Sequence, residues 1–126
     1  MLYDKIMSFN KGNTSPTYTF MEQHHLDKLY QKHLEFGNGY DSTVEVKLFN
    51  PCGCQTWLLC EMGEDGYCFG AVDLGYGFEI GSFDLEEILD LKLPYGLRIE
   101  RDNYYEAGKS LKEAMSEKQK GEIVWD

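Results

Sequence analysis

Apolar residues recur along this chain with two periods, one helical and one of strands. Leu26, Leu29, Tyr30, His33 and Leu34 fall at helical spacing. Thr19 and Glu22 precede them at the spacing of a capping box, in which two side chains satisfy free backbone donors of the first turn. Gly37 suits the left-handed position that closes a helix, so the pattern predicts a helix over 20–35. Val44, Val46 and Leu48 then alternate with Glu45 and Lys47, as in a half-buried strand. Asn50-Pro51-Cys52-Gly53-Cys54 is a turn-rich link to an apolar strand from Thr56 to Met62. Gly63-Glu64-Asp65-Gly66 reads as a hairpin turn, and Tyr67 to Leu74 returns antiparallel. Gly75-Tyr76-Gly77 turns again into a strand from Phe78 to Ser82.

The helical period then resumes. Asp84, with Glu87 three residues on, caps a helix whose apolar face is Leu85, Ile88 and Leu89. Pro94 ends that segment because it has no amide proton to donate. Leu97 and Ile99 alternate with Arg98 and Glu100, which predicts a fifth strand near residue 98. Ala107, Leu111, Ala114 and Met115 predict a last helix over 106–118. Residues 1–18 carry Gly12, Asn13, Ser15 and Pro16 and read as an irregular arm. The tail, 119–126, is either loose or an edge strand through Ile123-Val124-Trp125. The expected fold is a single α+β domain over 1–126. An antiparallel meander of four to five strands packs with about three helices, which cover one face of the sheet.

The turns suggest a register. With Glu64-Asp65 as a two-residue loop, Glu61 faces Cys68, Trp57 faces Val72 and Thr56 faces Asp73. With Tyr76 at the centre of the next turn, Asp73 faces Glu79 and Val72 faces Ile80. Alternation then puts Trp57, Leu59, Val72 and Ile80 on the core face, and Thr56, Asp73 and Glu79 on the other. Two facing carboxylates repel unless a proton or a cation lies between them. Asp73 and Glu79 could therefore hold Mg²⁺ or Ca²⁺ or share a proton as an acid/base pair. At a sheet end in water, screening would leave them inert.

Composition narrows the field. The net charge is −10, and between Glu61 and Glu106 twelve acids stand against three bases. Such a chain repels nucleic acid and anionic membrane, and a concentrated acidic face suits a basic protein surface. No apolar run reaches the length of a membrane span. The N-terminal MLYDKIMSFNKGN lacks a secretion signal. A cytoplasmic setting follows, with the four cysteines as reduced thiols.

Other candidate chemistry is sparse. Cys52 and Cys54 form a single short pair, whereas structural zinc sites use two. They remain the metal or redox candidates, while Cys60 and Cys68 read as packed thiols on opposite sheet faces. His25 and His33 share a helix face but lie two turns apart, too far to ligate one ion. Glu100-Arg101-Asp102 is a charged trio at a strand end. Arg101 could clamp an anion or pair with Glu79 or another acid to fix the last strand. The glycines at 75, 77 and 81 precede a strand, not a helix, so they make no nucleotide loop. No GxxxxGK[ST], HExxH or GxSxG pattern occurs, and no cofactor is expected.

The segments VKLFNP (46–51), TWLLCE (56–61), FGAVDLGYGFEIGSFDLEEI (69–88) and LRIERD (97–102) resemble domain-of-unknown-function family 2958. The resemblance runs from Val44 to Asp102 and rests on Lys47, Phe49, Pro51, Trp57, Glu61, Gly70, Glu79, Gly81, Leu85, Glu100, Arg101 and Asp102. This chain departs from the family in its Cys-Gly-Cys turn and in Asp84, where the family tends to have Ser. The resemblance implies a small protein of bacterial plasmids, phages and integrative elements, often encoded near anti-restriction or conjugation genes, with no established activity.

Two functions are compatible with these features. In the first, an accessory protein binds a protein partner through its acidic meander, at Asp73, Glu79, Glu100, Arg101 and Asp102. In the second, a small enzyme uses Glu61, Asp73 and Glu79 as acid/base or metal-ligand carboxylates and Arg101 as an anion clamp. The absence of a complete catalytic motif favours the first.

Overall fold

The computed structural model describes residues 2–9, 20–36 and 43–117. Helix α1 spans Leu2–Phe9 and buries Ile6 and Phe9. This corrects the irregular arm for those residues. Leu2, Ile6 and Phe9 are spaced four and three apart, a stripe long enough for two turns. The glycine and proline that suggested irregularity lie outside the described residues, as does the tail 119–126. Phe9 packs on Phe20 at 5.2 Å between ring centroids, and the Arg98 guanidinium stacks over the Phe9 ring at 4.8 Å.

Helix α2 spans Gln23–Phe36. Its start is set by Glu22, whose carbonyl accepts from the amides of His25 and Leu26, while His25 Nδ1 accepts from the Glu22 amide at 3.0 Å. The reciprocal bond of a capping box is thus supplied by a histidine at the third helical position. Thr19, the expected cap, lies outside the described residues.

Strands β1 (Thr43–Val44), β2 (Val46–Phe49), β3 (Thr56–Met62), β4 (Tyr67–Asp73) and β5 (Phe78–Asp84) follow, then helix α3 (Leu85–Leu89), a 3-10 turn at Pro94–Gly96, and strands β6 (Glu100–Arg101) and β7 (Lys109–Ser110). Helix α4 occupies 111–117. Five strands form an antiparallel sheet in the order β5-β4-β3-β2-β6, and β1 pairs with β7 in a separate ribbon. The α+β meander is therefore present, with its fifth strand two residues later than expected. The last helix starts five residues late, because Lys109–Ser110 pair with β1 and Gly108, at φ 103°, turns the chain ahead of them.

The β3–β4 register matches expectation at Thr56–Asp73 and Trp57–Val72. Past Leu59 a bulge at Cys60 shifts it, so Glu61 faces Phe69 rather than Cys68. The β4–β5 register is one residue off the expected one: Asp73 faces Phe78, Val72 faces Glu79 and Ala71 faces Ile80. The cause is the loop chemistry. Asp73 Oδ1 accepts from the amides of Gly75 (2.7 Å) and Gly77 (3.2 Å), and both glycines take positive φ. This Asx-type closure makes Leu74–Gly77 the loop, instead of a turn centred on Tyr76.

The slip moves side chains between faces. Trp57, Leu59 and Val72 keep the core face, beneath α1, α2 and α3, together with Leu48, Leu29, Ile6 and Leu85. Ile80 leaves that face and is 55% exposed. Glu79 joins it at the open edge. The opposite face is also covered, which corrects the expected one-sided sheet. Leu58, Cys60, Phe69 and Ala71 pack against Leu111 and Ala114 of α4. Every residue of β3 is consequently buried, as a central strand between two apolar layers should be.

Candidate functional site

The residues singled out from the sequence do not converge. Asp73 is buried, and its carboxylate holds the Leu74–Gly77 loop. Glu79 is exposed on the next strand and, being paired with Val72, points to the other face. The expected facing carboxylates therefore do not exist, and no shared proton or bridging cation follows from them. Glu61 lies five residues from Thr56, the partner of Asp73, or about 17 Å along β3. Arg101 is on β6 and Glu79 on β5, at opposite edges of the sheet. Four steps of about 4.8 Å separate those edges, roughly 19 Å.

Glu100-Arg101-Asp102 is a structural clamp. Arg101 Nε donates to the Phe20 carbonyl at 2.7 Å, tying β6 to the chain entering α2. The Asp102 amide donates to the Lys47 carbonyl at 2.9 Å, and its carboxylate lies 3.6 Å from Lys47 Nζ and accepts from the Tyr104 amide. Glu100 pairs with Phe49 across the ladder.

A buried polar group missed by the sequence analysis joins α2 to β1. Lys32 Nζ donates to the Thr43 carbonyl and hydroxyl and lies 3.2 Å from Glu45 Oε2, with both side chains nearly buried. Beside it, His33 Nδ1 lies 3.2 Å from Oε1 of Glu61, which is only 1% exposed. Burial, with lesser help from Glu45 and Glu61 and against Lys32, pushes the Cys60 thiol up to about 12. The Tyr105 phenol is also pushed up, chiefly by burial, and donates to the Val44 carbonyl at 2.7 Å. Lys32 and Glu45 are thus spent on each other, while the His33 side chain beside Glu61 stays 39% exposed. The available signal was Lys32 itself, a lysine three residues after Leu29 on the apolar stripe, where Leu34 had been expected and is exposed instead.

Two metal candidates can be weighed by donor chemistry. Cys52 and Cys54 are both exposed thiols. Among the described residues, the group of three metal-capable side chains is Glu22, His24 and His25, and it includes neither cysteine. His24 Nδ1 lies 3.1 Å from Glu22 Oε2. His25, however, accepts the Glu22 amide at Nδ1, which fixes the proton on Nε2. A metal-bound imidazole instead donates from its second nitrogen, so this histidine is set up as a cap. Burial, followed by the charges of Arg101 and His24, lowers its pKa to about 4.

A groove of about 220 Å³ lies between α1, α2 and the β3–β4 turn. Leu2, Ile6, Leu26 and Met62 form its floor, and Asp27, Tyr30 and Glu64 stand at its rim. None of the residues expected to carry chemistry lines it. Tyr30 bonds to Glu64, which raises the phenol pKa.

The charge distribution is more distinctive. From Glu61 to Leu91, which covers β4, β5 and α3, nine acids occur with no Lys, Arg or His. Glu64, Asp65, Glu79, Glu87 and Asp90 are exposed. Lys5 of α1 reaches the α3 end of this region, 2.8 Å from Asp90 and 3.6 Å from Glu86, and His33 lies 3.2 Å from Glu61 at its start. No described helix is long and apolar enough to cross a membrane.

Fold and surface together define a small α+β domain, with a sheet covered on both faces and acidic along one half. The family model "Protein of unknown function (DUF2958)" matches residues 20–124, and the chain belongs to that family. No curated protein and no solved structure matches the chain.

Proposed function

We propose that this chain is a cytoplasmic accessory protein of a bacterial mobile genetic element that acts by binding a protein. Its contact surface is the acidic half of the sheet, β4, β5 and α3. The partner offers a basic surface, such as the groove of a nucleic-acid-handling enzyme of host defence, which the acidic face would occupy in place of nucleic acid. Direct binding to nucleic acid is disfavoured by like charge. The observation that carries this reading is the base-free run of nine acids from Glu61 to Leu91, of which Glu64, Asp65, Glu79, Glu87 and Asp90 are exposed, spread over a surface instead of gathered in a cleft. That dispersal counts against the alternative, a small enzyme or metal-binding protein using Glu61, Asp73, Glu79 and Arg101. The mobile-element setting is the one that the family resemblance implies.

The test is affinity capture from a bacterial host lysate at low salt, with wild type beside Glu79→Gln/Glu87→Gln. Both glutamates are exposed. The reading expects a specific basic protein that the double variant recovers poorly. Recovery of no partner by wild type at low salt would overturn it.

A further inference from the structure

The two edges of the main sheet differ sharply. One is β6, of two residues, too short to template pairing. The other is β5, of seven residues, with only β4 beside it among the described residues. The direction of its backbone groups follows from one bond. Leu85 N donates to Gly66 O, so residues 66 and 85 are a hydrogen-bonded pair in the same register as β4–β5. Alternation then makes 68–83, 70–81 and 72–79 hydrogen-bonded pairs, and turns the amides and carbonyls of Ile80 and Ser82 outward. The bonds Gly63 N to Tyr67 O and Asn50 N to Gln55 O fix the same parity on the neighbouring strands. Among the described residues, no hydrogen bond reaches those outward groups of Ile80 and Ser82. The Ile80 side chain is 55% exposed, and a Cβ at Gly81 would meet nothing within 4 Å. The edge therefore offers two open donor–acceptor pairs, one apolar contact and room beside it.

We infer that β5 takes an extended segment of a basic partner protein as a sixth strand of the sheet. Main-chain pairing at Ile80 and Ser82 would supply affinity in any sequence. Selection comes from charge: the strand arrives beside Glu79 in a region with no base between Glu61 and Leu91. Alternating apolar and basic side chains would place one set against Ile80 and the other in the acidic field. A second copy of this chain is disfavoured by the same charges, which act as negative selection against self-pairing. The inference rests on the protein-binding reading above and specifies how that surface engages its partner.

The test uses amide hydrogen exchange of the full chain, with and without a synthetic peptide alternating valine and lysine. A peptide alternating valine and glutamate is one control. The basic peptide N-methylated at every residue, which has no main-chain donor on either edge, is the other. The proposal expects the Ile80 and Ser82 amides to slow by about tenfold or more with the basic peptide at saturation, and with neither control. Equal protection by the acidic or methylated peptide, or none at saturation, overturns it. Protection that rises with protein concentration alone, with sedimentation at twice the monomer mass, assigns the edge to a second copy and also overturns it. Ser82→Pro removes an outward donor and leaves the β4 ladder intact. If this variant still captures the wild-type partner, the edge-pairing inference falls while the acidic-surface reading stands. Loss of capture in Ser82→Pro, with the fold unchanged by amide spectra, supports the inference.

Discussion

Gly70 and Gly81 face each other across β4 and β5, yet alanine at the two positions should behave oppositely. A Cβ on Gly70 would lie 1.8 Å from the Leu58 carbonyl oxygen and 2.9 Å from its carbon. Backbone atoms cannot rotate away as a side-chain tip can. Relief needs β3 and β4 to separate by more than about 1 Å, beyond what a close-packed interior absorbs. That would disturb the two ladder bonds of the Leu58–Ala71 pair, about 1 kcal/mol each. It would also displace Leu58 from the layer beneath α4, at about 1–3 kcal/mol. Gly70→Ala should therefore cost about 3–5 kcal/mol, a large part of the stability of an ordinary domain. Gly81→Ala meets nothing within 4 Å and restricts the unfolded chain, so it should lie within about 1 kcal/mol of wild type and could stabilise. Urea unfolding followed by tryptophan fluorescence measures both. A Gly70→Ala protein with an unchanged midpoint, or two variants that shift alike, would refute the close approach of β3 and β4 at the bulge.

Four further outcomes follow from the packing. Trp57, 4% exposed between Leu48 and Val72, should cost about 3–5 kcal/mol on truncation to Ala, read as a sharp fall in melting temperature. Lys32→Ala leaves the Glu45 carboxylate nearly buried without its cation and should destabilise by about 3–5 kcal/mol in chemical denaturation. Of the four thiols, Cys52 and Cys54 should react with an aromatic disulfide reagent in the folded protein. Cys60 and Cys68, buried with raised pKa values, should react only after unfolding. His25 has a folded pKa lowered to about 4 from an ordinary 6.5. The unfolded state therefore takes up the proton first, and stability that is complete above pH 6.5 falls as the pH drops towards 4. Because the ring is half-exposed, screening reduces the effect to about 1 kcal/mol. The difference between wild type and His25→Gln across that window isolates it.

Strand order and the central core were legible because they rest on alternation over long stretches. Trp57, Leu59 and Val72 belong to runs whose period is unambiguous, and Asp84 caps α3 as its spacing suggested, accepting from the Glu86 amide at 2.8 Å. What failed hinged on single residues. The β4–β5 register turned on whether Asp73 faces across the hairpin or folds back onto Gly75 and Gly77, and either choice satisfies the sequence pattern. Those two bonds exchanged the positions of Ile80 and Glu79 and removed the candidate carboxylate pair. The bulge at Cys60 carries no signature in TWLLCEM, a strand apolar on both sides. Covering the second face depended on Leu111 and Ala114, more than thirty residues after the strands they shield, and on no local signal. The open β5 edge also needed the backbone parity, which side-chain patterning does not encode.

Whether the acidic half of the sheet is a binding surface is decided most directly by the ionic-strength dependence of the captured complex. The dissociation constant would be measured for wild type and for Glu79→Gln/Glu87→Gln from about 50 to 300 mM salt, a range over which screening of exposed charges tightens severalfold in effect. A charge-steered complex weakens by about tenfold or more across that range, and the variant is weaker at low salt and converges on wild type at high salt. An affinity indifferent to salt, and unchanged when both glutamates are neutralised, would contradict an acidic docking surface on β4, β5 and α3.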